Sequence, residues 1–149
     1  MNTSPFNSNY GTNTTVLSAD INSFLVGATN NPTPAAGSYA RFQKIGTIVK
    51  LEFKYIFATV PTTGAMSINL PLPINTNYPK PQSIFHVRYI SSTPSGKVHY
   101  GLYNEKDANS ANLVAPTTFH GVPAPFTNLS PDTLGVGDII TGLIVYETS

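Results

Sequence analysis

The side chains best suited to chemistry are few, and they gather in two short segments, "SIFHVRYISS" (83–92) and "KVHYGLYN" (97–104). In the first, His86 and Arg88 alternate with Phe85, Val87 and Tyr89. In the second, His99 alternates with Val98, Tyr100 and Leu102. If both segments are strands joined by the "TPSG" turn, His86, Arg88 and His99 form one polar cluster, with the apolar residues inside. Such a cluster suits an anion or a metal ion. A metal site normally takes three or more N, O or S ligands, and a guanidinium is not one. The plainer reading is a solvated outer face or a subunit contact. Tyr78 and Tyr103 sit at loop or polar-face positions, where a ring can stack on a sugar and its hydroxyl can bond it. Tyr78, His86, Arg88, His99 and Tyr103 are therefore the candidates for receptor or glycan binding. His120, in "TFHG", has no visible partner in the sequence.

Signatures of catalysis are missing. The chain has seven carboxylates, three histidines and no cysteine, which removes thiolate nucleophiles, disulfides and zinc–cysteine sites. G-x-S-x-G and the glycine-rich phosphate loops do not occur. Two acids can converge in space to make a glycosidase pair, but no spacing marks such a pair out. Glu52, between Lys50 and Lys54, reads as a cross-strand ion-pair partner. Asp20 and the other loop acids read as turn residues that bond nearby amides. No enzyme activity and no cofactor are expected.

The elements that position these residues read as strands. "IVKLEFKYIFATV" alternates Val49, Leu51, Phe53, Tyr55 and Phe57 with Lys50, Glu52, Lys54, Ile56 and Ala58. This is a half-buried strand with an apolar spine and a charged outer face. "YARFQKIG" before it makes a hairpin about Gly46. "AMSINLPLPI" and the closing "DIITGLIVYETS" supply further strands, with Gly142 expected at a bulge or bend. "SFLVGAT" suits a short strand, and "LVAPTTFHG" one that breaks at Pro116. "EKDANSAN" and "VPAPFTNLSPDTLGVG" read as loops. Thirteen prolines and eleven glycines punctuate the chain at turn-like spacing. The expected fold is all-β: an antiparallel jelly-roll-like β-sandwich of about eight short strands.

Composition narrows the partners. The 149 residues include 40% hydrophobic and only 10% charged residues, with a net charge of +1. The charged share is well under the roughly 25% of ordinary globular domains, so Asn, Ser and Thr must hydrate the surface. No Lys or Arg precedes Arg41, so a basic genome-binding arm is absent and nucleic acid is not expected. No apolar run approaches the roughly 18 residues of a membrane span, and the N-terminus lacks the pattern of a signal peptide. Residues 1–15 read as a flexible arm, and 16–149 as the β-sandwich head. The closing strand is apolar on both faces, which calls for a covering partner. The Lys50–Glu52–Lys54 face reads as scaffold, with any site expected in the Pro- and Asn-rich loops.

The run "GSYARFQKIGTIVKLEFKYIFATVPTTGAMSINLPLPI" (37–74) and the closing "GDIITGLIVYET" resemble a theme of bacteriophage and other viral fibre proteins. In it, a Gly-x-Tyr hairpin ending in Ile-Gly leads into a long alternating strand. A Thr/Gly turn and an Ile-x-Leu-Pro-x-Pro strand end follow. Gly37, Tyr39, Ile45, Gly46, Gly64, Ile68, Leu70, Pro71 and Pro73 occupy the matching places. The resemblance covers about residues 37–149. It implies a jelly-roll-like head on a tail fibre or capsid spike, homotrimeric, carried on the virion surface and binding host glycans or receptors. It brings no catalytic residues. Shaft repeats are lacking, so a spike or capsid decoration component fits equally, attached to other virion proteins through the N-terminal arm. The alternatives are a stand-alone lectin-like carbohydrate-binding module and a shell-forming jelly-roll capsid protein.

Overall fold

The computed structural model describes residues 15–62, 64–75, 77, 86–90, 98–116, 123–125, 127 and 133–148. Among them are ten strands and no helix: β1 Leu17–Ser18, β2 Leu25–Gly27, β3 Tyr39–Ile45, β4 Ile48–Ile56, β5 Met66–Asn69, β6 His86–Ile90, β7 Val98–Asp107, β8 Ser110–Pro116, β9 Pro123–Pro125 and β10 Ile139–Glu147. Every ladder is antiparallel. The hydrogen-bonded path runs β1-β3-β4-β10-β6-β7-β8-β5-β2, with β9 on β8. β7 is long enough to serve two sheets. Its first half pairs with β6 in one, and its second half with β8 in the other. The inner faces of both sheets contribute to one core.

The β3–β4 hairpin follows from its sequence. Ile45 pairs with Ile48 across a two-residue loop. Gly46 has φ 60°, while Thr47, like every other described non-glycine residue, does not have a positive φ. Positive φ at the first loop position alone is the type II′ turn, whose twist matches that of the strands it joins. Along β4 the alternation holds: Val49, Leu51, Phe53, Tyr55 and the following Phe57 are buried, and Lys50 is exposed. Phe24 packs on Phe53 with ring centroids 4.9 Å apart, and Tyr55 meets Phe57 edge-on at 5.2 Å.

The last strand is central. β10 lies between β4 and β6 and pairs with both. Gly142 makes neither a bulge nor a bend, contrary to expectation. It holds regular register with Phe53 on one side and Val87 on the other. Its role is space: a Cβ there would come within 2.5 Å of Phe53 Cζ. Two other segments also differ from the sequence reading. "EKDANSAN" is mostly strand, closing β7 on β8 through a turn at Ala108–Asn109. That turn is held from outside, because Leu70 N–H donates to Asn109 O (2.8 Å) and Ile74 N–H to Ala108 O (2.7 Å). Pro123–Pro125 forms a short strand on β8 that takes only three residues of pairing, the kind of edge position where proline is tolerated.

Two tyrosine hydroxyls tie loops to the core. Tyr55 donates to Pro32 O at 2.9 Å. Tyr146 donates to Leu72 O at 2.8 Å and accepts from Leu72 N–H at 3.2 Å, fixing the "PLPI" segment to β10. Burial pushes the Tyr146 phenol up to about 12, and pushes the Tyr55 phenol higher still.

Candidate interaction surface

Register places residues of the first sheet on one of two faces. In β10, Ile140, Ile144 and Tyr146 are buried, whereas Leu143 and Val145 are each 43% exposed. The odd-numbered positions therefore define the outer face, and the ladders extend it. One level reads Gln43–Lys50–Val145. The next reads Arg41–Glu52–Leu143–His86. A third reads Tyr39–Lys54–Thr141–Arg88–Tyr100, crossing five strands.

The centre of this face is organised by one ion pair. Arg41 donates from Nε and Nη2 to both Glu52 oxygens at 3.1–3.2 Å. Its guanidinium carbon also lies 5.2 Å from the centre of the Tyr39 ring. At 53% and 41% side-chain exposure, the pair is worth about 0–1 kcal/mol. Its effect is mainly geometric, because it orients Tyr39 and consumes the one acid in the middle of the face. The cross-strand partner expected for Glu52 is thus Arg41, and not the lysines on its own strand. Lys50 and Lys54 make no ion pair among the described residues.

The three-residue cluster expected from sequence is split by register. β6 and β7 do pair, but Tyr89 stands opposite His99, and Arg88 stands opposite Tyr100. His86 and Arg88 occupy outer-face positions, while His99 falls on the other face of the sheet. For the same reason Val98 and Tyr100, expected inside, share the level of Ile90 and Arg88. Tyr103 takes the position opposite Leu113, which is fully buried, so it does not share the outer rows. Tyr78, His120 and residues 1–14 lie outside the described residues.

No group of three or more His, Cys, Asp or Glu suited to a metal occurs among the described residues. The described acids are structural where their bonds are visible. Asp20 accepts Asn22 N–H at 3.1 Å and Ser23 Oγ–H at 2.8 Å, and these bonds, the Ser23 one foremost, lower its pKa. Asp138 is fully buried, accepts Gly135 N–H at 2.7 Å and stands immediately before β10. The sequence reading missed the Tyr39–Arg41–Glu52 arrangement as a surface feature. The signal was present, since all three sit at alternate positions of adjacent strands whose hairpin register Gly46 sets.

No family model matches the sequence, and neither does any curated protein. Among solved structures, the chain is similar to the crystal structure of the Dettilon tailspike protein, with TM-score 0.59 and 15% identity. The match covers 88% of this chain and 23% of the tailspike chain. At that identity the likeness is one of fold. The arrangement of two antiparallel sheets on a common core is thus a fold shared with part of that tailspike chain.

Proposed function

We propose that this chain is an exposed head domain of a phage attachment structure, carried on the virion and used to engage the host surface. The observation that carries the reading is the tailspike fold, matched over nearly the whole of this chain. The motifs that resemble viral fibre heads support it independently. We take the domain to be non-enzymatic, to have jelly-roll-like wrapping, and to be anchored to other virion proteins through residues 1–15.

The proposal includes a homotrimer. Val16, Leu17, Ile45 and Ile48 are 43–53% exposed. By register they gather at one edge of the sheet, around β1 and the tip of the β3–β4 hairpin. An exposed apolar patch at a sheet edge is what a subunit contact would cover. Gold labelling of this protein on intact virions by electron microscopy is the test. Label at a tail or spike supports the reading, and unlabelled particles from which the protein is absent overturn it. Light scattering of the purified protein should give the trimer mass, and a monomer at micromolar concentration removes the trimer from the proposal.

A further inference from the structure

The outer face of the first sheet carries a charge bias that the whole chain does not. Of eight basic residues, Arg41, Lys50, Lys54 and Arg88 occupy it, against Glu52 and Glu147. Counted over the described residues, that is +4 − 2 = +2 on this face. The net charge of the whole chain is +1. Glu52 is already bound by Arg41, which leaves Lys50 and Lys54 as the cations that β3 and β4 offer to a ligand on this face. They stand on one strand, four residues apart, at a spacing of about 13 Å. Arg88 is level with Lys54 two strands away, at about 10 Å.

From this geometry we infer that the face binds an anionic glycan, laid along β4 over Lys50 and Lys54, its charges carried by carboxylates or sulfates. The inference rests on the attachment reading and gives the chemistry of its ligand. Three features select a glycan over other polyanions. Tyr39 is 39% exposed, and Arg41 holds its ring, giving a platform for one face of a pyranose. Leu143 and Val145, each 43% exposed between the charged positions, offer apolar ground for C–H faces of further sugars. Glu52 sits in the middle of the track. A phosphodiester chain, charged at every step, would meet that carboxylate unfavourably. A glycan charged only at intervals places hydroxyls there, and these donate to it.

The test is binding of the purified, full-length protein to immobilised polygalacturonate, with neutral dextran and single-stranded DNA as comparators, at low and moderate salt. Polygalacturonate should bind and weaken as salt rises, because exposed charges are screened. The K50Q/K54Q variant should lose at least about tenfold in affinity, equivalent to ~1.4 kcal/mol. K50R/K54R should retain binding, which separates lost charge from damaged fold. Equal binding of dextran, equal competition by DNA, or undiminished binding by K50Q/K54Q overturns the inference. If the protein adsorbs to host cells while K50Q/K54Q adsorbs equally well, attachment stands and the anionic ligand falls. If it adsorbs to no host cell, the attachment reading itself fails.

Discussion

Replacing Gly142 with alanine tests the packing at the centre of the first sheet. Glycine inside a strand normally weakens it by roughly 0.5–1 kcal/mol relative to alanine, through backbone entropy. On that ground alone G142A would stabilise the protein. The structure reverses the sign. A Cβ at Gly142 would strike two atoms of the Phe53 ring, reaching Cζ at 2.5 Å. The ring cannot swing away. Phe53 is 1% exposed, and Phe24, also 1% exposed, packs on it at 4.9 Å. The strand cannot withdraw either, because β10 is hydrogen-bonded on both edges. Forcing extra volume into such a core costs about 1–3 kcal/mol, so the clash outweighs the entropy gain.

The expected net loss is about 1–2 kcal/mol. For a domain of this size it corresponds to a drop in Tm of roughly 2–8 °C. Urea unfolding of wild type and variant measures it directly, with an unchanged m-value showing that the denatured state is not the cause. F53L/G142A makes the reasoning specific. Removing the ring edge should relieve part of the G142A penalty, giving a favourable coupling of about 0.5 kcal/mol or more in a double-mutant cycle. A G142A protein as stable as wild type, or strict additivity with F53L, refutes the packing account.

Three further outcomes follow from named contacts. Y146F should cost about 1–3 kcal/mol in urea unfolding, since it leaves Leu72 O and N–H without their buried partner. The same hydroxyl sets an alkaline limit. The folded pKa of about 12 lies above the unfolded value of 10, so this contribution is complete below pH 10 and is lost as pH climbs toward 12, at up to about 1.4 kcal/mol per pH unit. Y146F should show a shallower alkaline decline from its lower baseline, and a slope equal to wild type would refute the assignment. G46A meets nothing within 4 Å, so its cost is the backbone's alone, about 1–3 kcal/mol for an alanine held at positive φ, and an unchanged Tm would rule out the type II′ turn. R41A should change stability by no more than about 1 kcal/mol, and a larger loss in thermal melts would mean that the pair supports the fold.

Much of the core was legible because alternation is a local signal. The five apolar side chains of the long strand and its end, Val49 to Phe57, are all buried, as are Met66, Ile68 and Leu70. Turn chemistry was legible at Gly46 for the same reason. What failed depends on distant partners. Gly142 looked like a bend because its sequence neighbours give no hint of Phe53, some ninety residues earlier. Ala111 and Ser110 looked like loop residues in a polar run, yet both are buried. β5 pairs with that end of β8, and the "PLPI" segment caps the turn beside it. Proline disguised β9 in the same way, since its pairing partner β8 lies upstream of a polar stretch.

The same distinction explains why the candidate site moved from a histidine cluster to a flat sheet face. Alternation states that a strand has two faces. It does not state which face joins which across a hairpin. For β6 and β7 the parity of the connecting turn decides that, and shifting the register by one residue exchanges every position. Register sets Tyr89 against His99, which separates the histidines expected together. Where the turn was readable, at Gly46, the cross-strand neighbours were also fixed: Arg41 faces Glu52, and Tyr39 faces Lys54. The charged residues of β4, read from sequence as mere scaffold, acquire the proposed binding role only when β3 and β10 are laid beside them. Their meaning is a property of the sheet, and of no single strand within it.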